Sequence, residues 1–138
     1  MIASLLLALA LQAAAAAQPD EPDCRDPQAQ MEMNMCARLD FEAADRELNR
    51  VYREAIAGSR QSDRELDRQY DQRPGYEAVL REAQRAWVAY RDAQCRYEGY
   101  EEARGGSMEP MIFSGCSARM TRERTAQLRG PEAQEGAR

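Results

Sequence analysis

Few residue types in this chain could carry chemistry. Histidine and lysine do not occur, and every cation is arginine. The commonest general base and the Schiff-base nucleophile are therefore missing. Carboxylates are plentiful, and a glycosidase-like pair could be drawn from them. On charged helices, however, carboxylates are ordinarily a solvated face. Four cysteines, Cys24, Cys36, Cys95 and Cys116, show no C-x-x-C redox spacing. Met31 and Met35 stand four apart before Cys36. Thioethers suit Cu(I), but Met33 turns away from that face, and methionine more often fills a core. Gly105-Gly106-Ser107 lacks the lysine of a phosphate loop. No catalytic residue, metal ligand or cofactor is assigned, and the chain reads as a non-enzyme.

The polar residues that stand out lie among apolar ones. Gln84, Trp87 and Arg91 fall at i, i+3 and i+7, so on a helix they share one face. Trp87 is the sole tryptophan. Upstream, Asp45, Leu48, Asn49 and Tyr52 form a second mixed face. If their helices run antiparallel, Asp45 meets Arg91, with Asn49 and Gln84 beside them. The preferred reading is an ion pair that fixes register. The alternative is a binding or catalytic carboxylate. Were the pair fully buried, removing one partner would cost about 3–5 kcal/mol.

These faces need helices to carry them. A helix is expected from about Gln28 or Gln30 to Ala57, ended by Gly58-Ser59. Ser62-Asp63-Arg64-Glu65 reads as a capping box opening a short helix that Pro74-Gly75 breaks. A third helix spans about 76–103, with Leu80, Ala83, Trp87, Tyr90, Gln94 and Tyr97 on its buried side. Gly105-Gly106-Ser107 stops it, and residues 108–115 read as a loop. A last helix covers about 116–128, before Gly130-Pro131. No stretch alternates with period two. The class is all-α: a small bundle of three main helices plus one short helix.

Compartment follows from the ends. Residues 1–17 combine an apolar run with a small-residue close at Ala15-Ala16-Ala17, as in a cleavable signal peptide. The n-region lacks arginine, and no cysteine follows at once to take a lipid. A periplasmic or secreted chain with no membrane span is expected, with a disordered leader at 18–23 and a disordered tail at 130–138. In an oxidising compartment an even cysteine count reads as disulfides. Helix rise favours Cys24–Cys36 and Cys95–Cys116, with Cys36–Cys95 as the rival pairing. A net charge of −5 excludes the basic stripe of a nucleic-acid binder.

A family resemblance gathers these residues. It runs through Glu32-Met33-Asn34 and Cys36, Ala44-Asp45, Leu48-Asn49 and Tyr52. It continues through Ala83-Gln84, Trp87, Tyr90-Arg91-Asp92, Cys95, Gly105-Gly106-Ser107, Cys116, Thr121, Arg124 and Leu128. In order and spacing the chain resembles the lysozyme inhibitor LprI family across residues 24–129. The resemblance implies an exported helical domain that binds lysozyme or another basic cell-wall hydrolase. The alternative is an envelope interaction module without assigned activity. Ala29 departs from the threonine often found there, which touches helix start and not function. The candidate partner loop holds Gly105, Gly106, Met111, Ile112 and Phe113, the last three with little polar cover.

Overall fold

A computed structural model describes residues 22–130. The expected signal peptide, most of the leader and the tail beyond Gly130 lie outside the described residues. The rest is three helices: α1 (Gln30–Glu65), α2 (Tyr76–Ala103) and α3 (Glu109–Arg129). The all-α reading holds, but three boundaries move.

The start of α1 lacks a capping side chain at Ala29. Glu32 compensates by reaching back, its carboxylate accepting from the backbone N–H groups of Gln28 (2.8 Å) and Ala29 (3.0 Å). Those backbone bonds, Ala29's first, hold the Glu32 carboxyl below its usual range. α1 then runs straight through Gly58-Ser59, where a stop was expected. Gly58 does not adopt the positive φ that ends helices; only Gly105 and Gly130 do so among the described residues. Ile56 is buried just before it, so tertiary packing outweighs the roughly 1 kcal/mol cost of an interior glycine.

The capping box does not open a helix. Ser62 lies inside α1 and its hydroxyl donates to the Gly58 carbonyl one turn back (3.3 Å). The expected short helix is absent: Leu66 caps α1, and only a turn forms near Tyr70. Asp63 acts elsewhere, on the next helix. Its carboxylate accepts from the N–H groups of Tyr76 (2.6 Å) and Glu77 (3.1 Å), so α1 caps α2 across the connection. Gly75 makes room: a Cβ there would lie 2.5 Å from an Asp63 oxygen. Asp63→Ala is expected to cost about 1 kcal/mol, and Gly75→Ala a similar amount by displacing the same carboxylate. In the double variant the losses should not add. Thermal melts of the three variants check this, and additive losses would show that the two residues act separately.

The third correction concerns 108–115. Glu109 already begins α3, with Pro110 in the first turn, where its missing N–H costs nothing. Met111, Ile112 and Phe113 are thus half-buried helical residues, not loop residues.

Packing differs from the expected seam as well. Asn34 bonds the Ser107 carbonyl, Asp40 pairs with Arg122, and Glu47 pairs with Arg129. Both numbers rise together, so α1 and α3 run parallel. α2 runs antiparallel to α3, as its Cys95–Cys116, Arg91–Thr121 and Gln84–Arg124 contacts show. The largest contact is α1 on α3, and α1 touches α2 least. The reason is side-chain size. α3 offers buried Ser114, Ser117, Ala118, Thr121 and Thr125, small enough for close approach, to meet Ala44, Leu48 and Val51 of α1. Thr125 satisfies its hydroxyl on the Thr121 carbonyl (2.8 Å).

Candidate functional site

The residues singled out by spacing do converge, around one guanidinium. Arg91 is only 7% exposed and sits where all three helices meet. Its Nη1 donates to Asp45 of α1 (3.4 Å) and to the Thr121 hydroxyl of α3 (3.3 Å). Its Nε donates to Asp92, the next residue (2.9 Å). Aromatic rings flank it: Phe41 at 5.0 Å and Trp87 at 5.1 Å from centroid to guanidinium carbon. Asn49 donates to the second Asp45 oxygen (2.9 Å).

Gln84 departs from the expected grouping. Its amide oxygen accepts from Arg124 of α3 (3.0 Å) instead of joining Asp45. Arg124 also lies 6.0 Å from the Trp87 ring, and burial there lowers its pKa. Trp87 therefore has two arginines close to its ring. It is half-buried and packs on the sulfur-rich core of Cys95, Cys116 and Met120. Sequence reading placed Arg124 in the family pattern but not in the Trp87 group, where its bond to Gln84 and its approach to the ring put it.

Both carboxylates beside Arg91 are bound to that cation and open to solvent, Asp45 with a side chain 41% exposed and Asp92 42%. Tyr90 and Tyr97, expected on the buried side of α2, instead face outward, as does Ala83. The buried stripe is Arg91, Cys95 and Gly99, offset by one position. Met31 is exposed and Met35 half-buried on α1. No cluster of three or more His, Cys, Asp or Glu able to hold a metal occurs among the described residues.

The disulfides are Cys24–Cys36 and Cys95–Cys116, with S–S distances of 2.04 and 2.01 Å. The favoured pairing holds and the Cys36–Cys95 rival does not form. The first ties the leader to the second turn of α1. The second lies in the core, where Met120 sulfur sits 3.6 Å from Cys95 sulfur.

The α2–α3 connection forms a stapled tip. Gly105 takes a positive φ of 73° and donates its N–H to Glu109 (2.6 Å). Gly106 donates to the Ala103 carbonyl (2.7 Å), and Asn34 of α1 reaches the Ser107 carbonyl (2.9 Å). Beside this tip, α2 exposes Tyr97 and Tyr100, and Met108 protrudes. Tyr97 donates its hydroxyl to Glu101 (2.5 Å), which raises the phenol's pKa. Arg104 lies over the Tyr100 ring at 4.9 Å. Glu98 pairs with Arg119 (3.0 Å), while Glu101 and Glu102 stand exposed.

Comparison with known proteins gives a consistent result. The model of a family described as "Lysozyme inhibitor LprI" matches residues 24–128. An uncharacterized protein of Rhizobium meliloti (strain 1021) is 50% identical over 126 residues, covering 91% of this chain and 90% of the relative. The crystal structure of a DUF1311 family protein from Pseudomonas putida KT2440 superposes with a TM-score of 0.59 at 27% identity. It covers 74% of this chain and 91% of that one. The match spans both disulfides, the Arg91 joint and all but the last residue of α3. The chain belongs to the lysozyme inhibitor LprI family.

Proposed function

We propose that this domain works by protein–protein contact, binding and inhibiting a lysozyme-type cell-wall hydrolase in the periplasm or outside the cell. The family match over 24–128 carries the reading. The acidic, tyrosine-bearing tip supports it. Over residues 96–109 stand Glu98, Glu101, Glu102 and Glu109 against Arg96 and Arg104, with Glu98 paired to Arg119. Such a surface speeds encounter with a basic partner, and exposed tyrosines supply rigid, amphipathic contact area. Because Met111, Ile112 and Phe113 are half-buried on α3, the contact edge moves to Tyr97, Tyr100, the Gly105-Gly106 turn and Met108.

The test is lysis of a bacterial suspension by a basic lysozyme with the protein, residues 18–138, in micromolar excess. Lysis is expected to slow. Tyr97→Ala with Tyr100→Ala should weaken inhibition by at least about tenfold, the size of a modest hot spot. Added salt should weaken binding too, as electrostatic steering is screened. Unchanged lysis rejects inhibition.

A second reading is an envelope interaction module without an inhibitory role. Capture of partners from an envelope extract, identified by mass spectrometry, separates the two: recovery of non-hydrolase proteins alone supports the module.

A further inference from the structure

α3 carries Arg119, Arg122, Arg124 and Arg129. Arg119, Arg122 and Arg129 are exposed, and each pairs with a carboxylate: Arg119 with Glu98 at 3.0 Å, Arg122 with Asp40, Arg129 with Glu47. Arg124 is the exception. It is half-buried, and burial lowers its pKa with no acid to offset the effect among the described residues. A guanidinium keeps its proton under that cost, so its charge stays in need of an anion. The groups that Arg124 does touch are neutral. Its Nε donates to Gln84 (3.0 Å), its Nη1 donates to Gln127 (3.1 Å), and the Trp87 centroid lies 6.0 Å away. Its remaining N–H groups sit on both terminal nitrogens, the edge that grips a carboxylate through two parallel bonds.

Arg124 lines a pocket of about 350 Å³ between α2 and α3, at the small end of ligand sites. The wall is mostly polar. Gln94 and Gln127 bring amides, Glu98 and Glu123 bring carboxylates, and Tyr90, 59% exposed, brings a ring. Both glutamates face Arg119, Glu98 at 3.0 Å and Glu123 at 3.7 Å, which leaves Arg124 as the cation without a counter-ion. This wall selects among anions. A phosphate or sulfate would set its multiple charge against two carboxylates. A fatty acid would leave the amides and glutamates without partners. The matching ligand has one carboxylate for Arg124 and hydroxyl groups that donate to the glutamates and accept from the glutamines. A sugar acid has both, and the C–H face of its ring can pack on Tyr90.

We propose that this pocket binds a carboxylated saccharide, with the carboxylate in the free fork of Arg124, the hydroxyl groups on Gln94, Gln127 and Glu123, and the ring against Tyr90. One sugar acid has about a dozen non-hydrogen atoms, which at ordinary ligand efficiency gives a Kd of about 1 mM. The pocket lies along the α2–α3 flank, and its occupancy does not depend on hydrolase binding at the Gly105-Gly106 turn. Failure of inhibition therefore leaves this proposal standing, and the reverse holds too.

Trp87, the sole tryptophan, lines the pocket and reports on it. Residues 18–138 are titrated with sodium glucuronate to about 20 mM at constant ionic strength, well above the expected Kd, and Trp87 fluorescence is followed beside calorimetry. A saturable one-site change is expected. Glucose, which lacks the carboxylate, and acetate, which lacks the hydroxyl groups, should give none over the same range. Arg124→Gln should weaken glucuronate binding at least about tenfold, read by calorimetry because the change also alters the surroundings of the indole. Arg85→Gln, an exposed arginine of α2 outside the pocket, should leave binding unchanged. Tyr90→Ala, at an exposed position, should weaken binding several-fold with unchanged circular dichroism, and it decides the matter if Arg124→Gln unfolds the chain. Absence of saturation overturns the proposal, as does glucuronate binding that survives both Arg124→Gln and Tyr90→Ala. An equal response to acetate would reduce the pocket to an anion site. A stronger response to glycine than to glucuronate would make the ligand a zwitterion. Either result also overturns the saccharide assignment.

Discussion

Replacing Arg91 by methionine is expected to destabilise the domain by about 2–4 kcal/mol, while Asp45→Asn should cost less than about 1 kcal/mol. The pair is asymmetric. Arg91 is buried between Phe41 and Trp87 and donates to three residues on three helices. Its loss removes two cation–π contacts and leaves the buried Thr121 hydroxyl short of a donor. Asp45, with its side chain 41% exposed, is still solvated when the cation is gone, and its 3.4 Å contact is a long one. Arg91→Lys should not rescue, because a single ammonium cannot span Asp45, Thr121 and Asp92 while stacking between rings. Urea denaturation of the three variants gives the comparison. Equal losses for Asp45→Asn and Arg91→Met would mean that the ion pair, and not the guanidinium's packing, holds the joint.

Removing the Cys95–Cys116 bridge as a double alanine variant should cost about 3–5 kcal/mol. Loop closure over 21 residues accounts for about 3 kcal/mol, and lost sulfur packing for the rest. Cys95 is fully buried and Met120 leans on it. The same change at Cys24 and Cys36 should cost clearly less, because without the bridge the native leader can detach while the three helices stay packed. Order of reduction gives a parallel test. Exposed Cys24 makes the leader bridge the first to open to a small thiol, and the core bridge should open only on unfolding. Alkylation followed by mass spectrometry reads both. Core thiols that label first would reverse this ranking.

Sequence reading reached the fold class, the cysteine pairing and the Arg91 group, because each depends on spacing along one helix or on covalent limits. It failed where tertiary contacts overrule local signals. Gly58-Ser59 looks like a stop and Ser62 like a start. Burial of Ile56 and the Arg60–Glu77 pair (2.9 Å), which holds α1 to α2, carry the helix through both. Pro110 was the missed signal for α3, since a proline after a glycine turn suits a first helical turn as well as a loop. The dominance of α1–α3 packing was legible only in retrospect. Ser114, Ser117, Ala118, Thr121 and Thr125 look polar in sequence, yet they act as small residues that let two backbones approach. The outward tyrosines of α2 were misplaced for the converse reason: large and aromatic, they suggested core, one position away from the true stripe.

The parallel pairing of the first and last helices governs how this molecule can be made. Its principal contacts join positions some eighty residues apart, such as Asp40 with Arg122 and Glu47 with Arg129. Contacts that distant in sequence close a long loop first, and loop-closure entropy should slow their acquisition compared with a helical domain of equal size whose largest contacts join helices adjacent in sequence. A nascent chain that has emerged only through Ala103 has two rods and no interior to gather them, so it should remain labile until its final quarter is available.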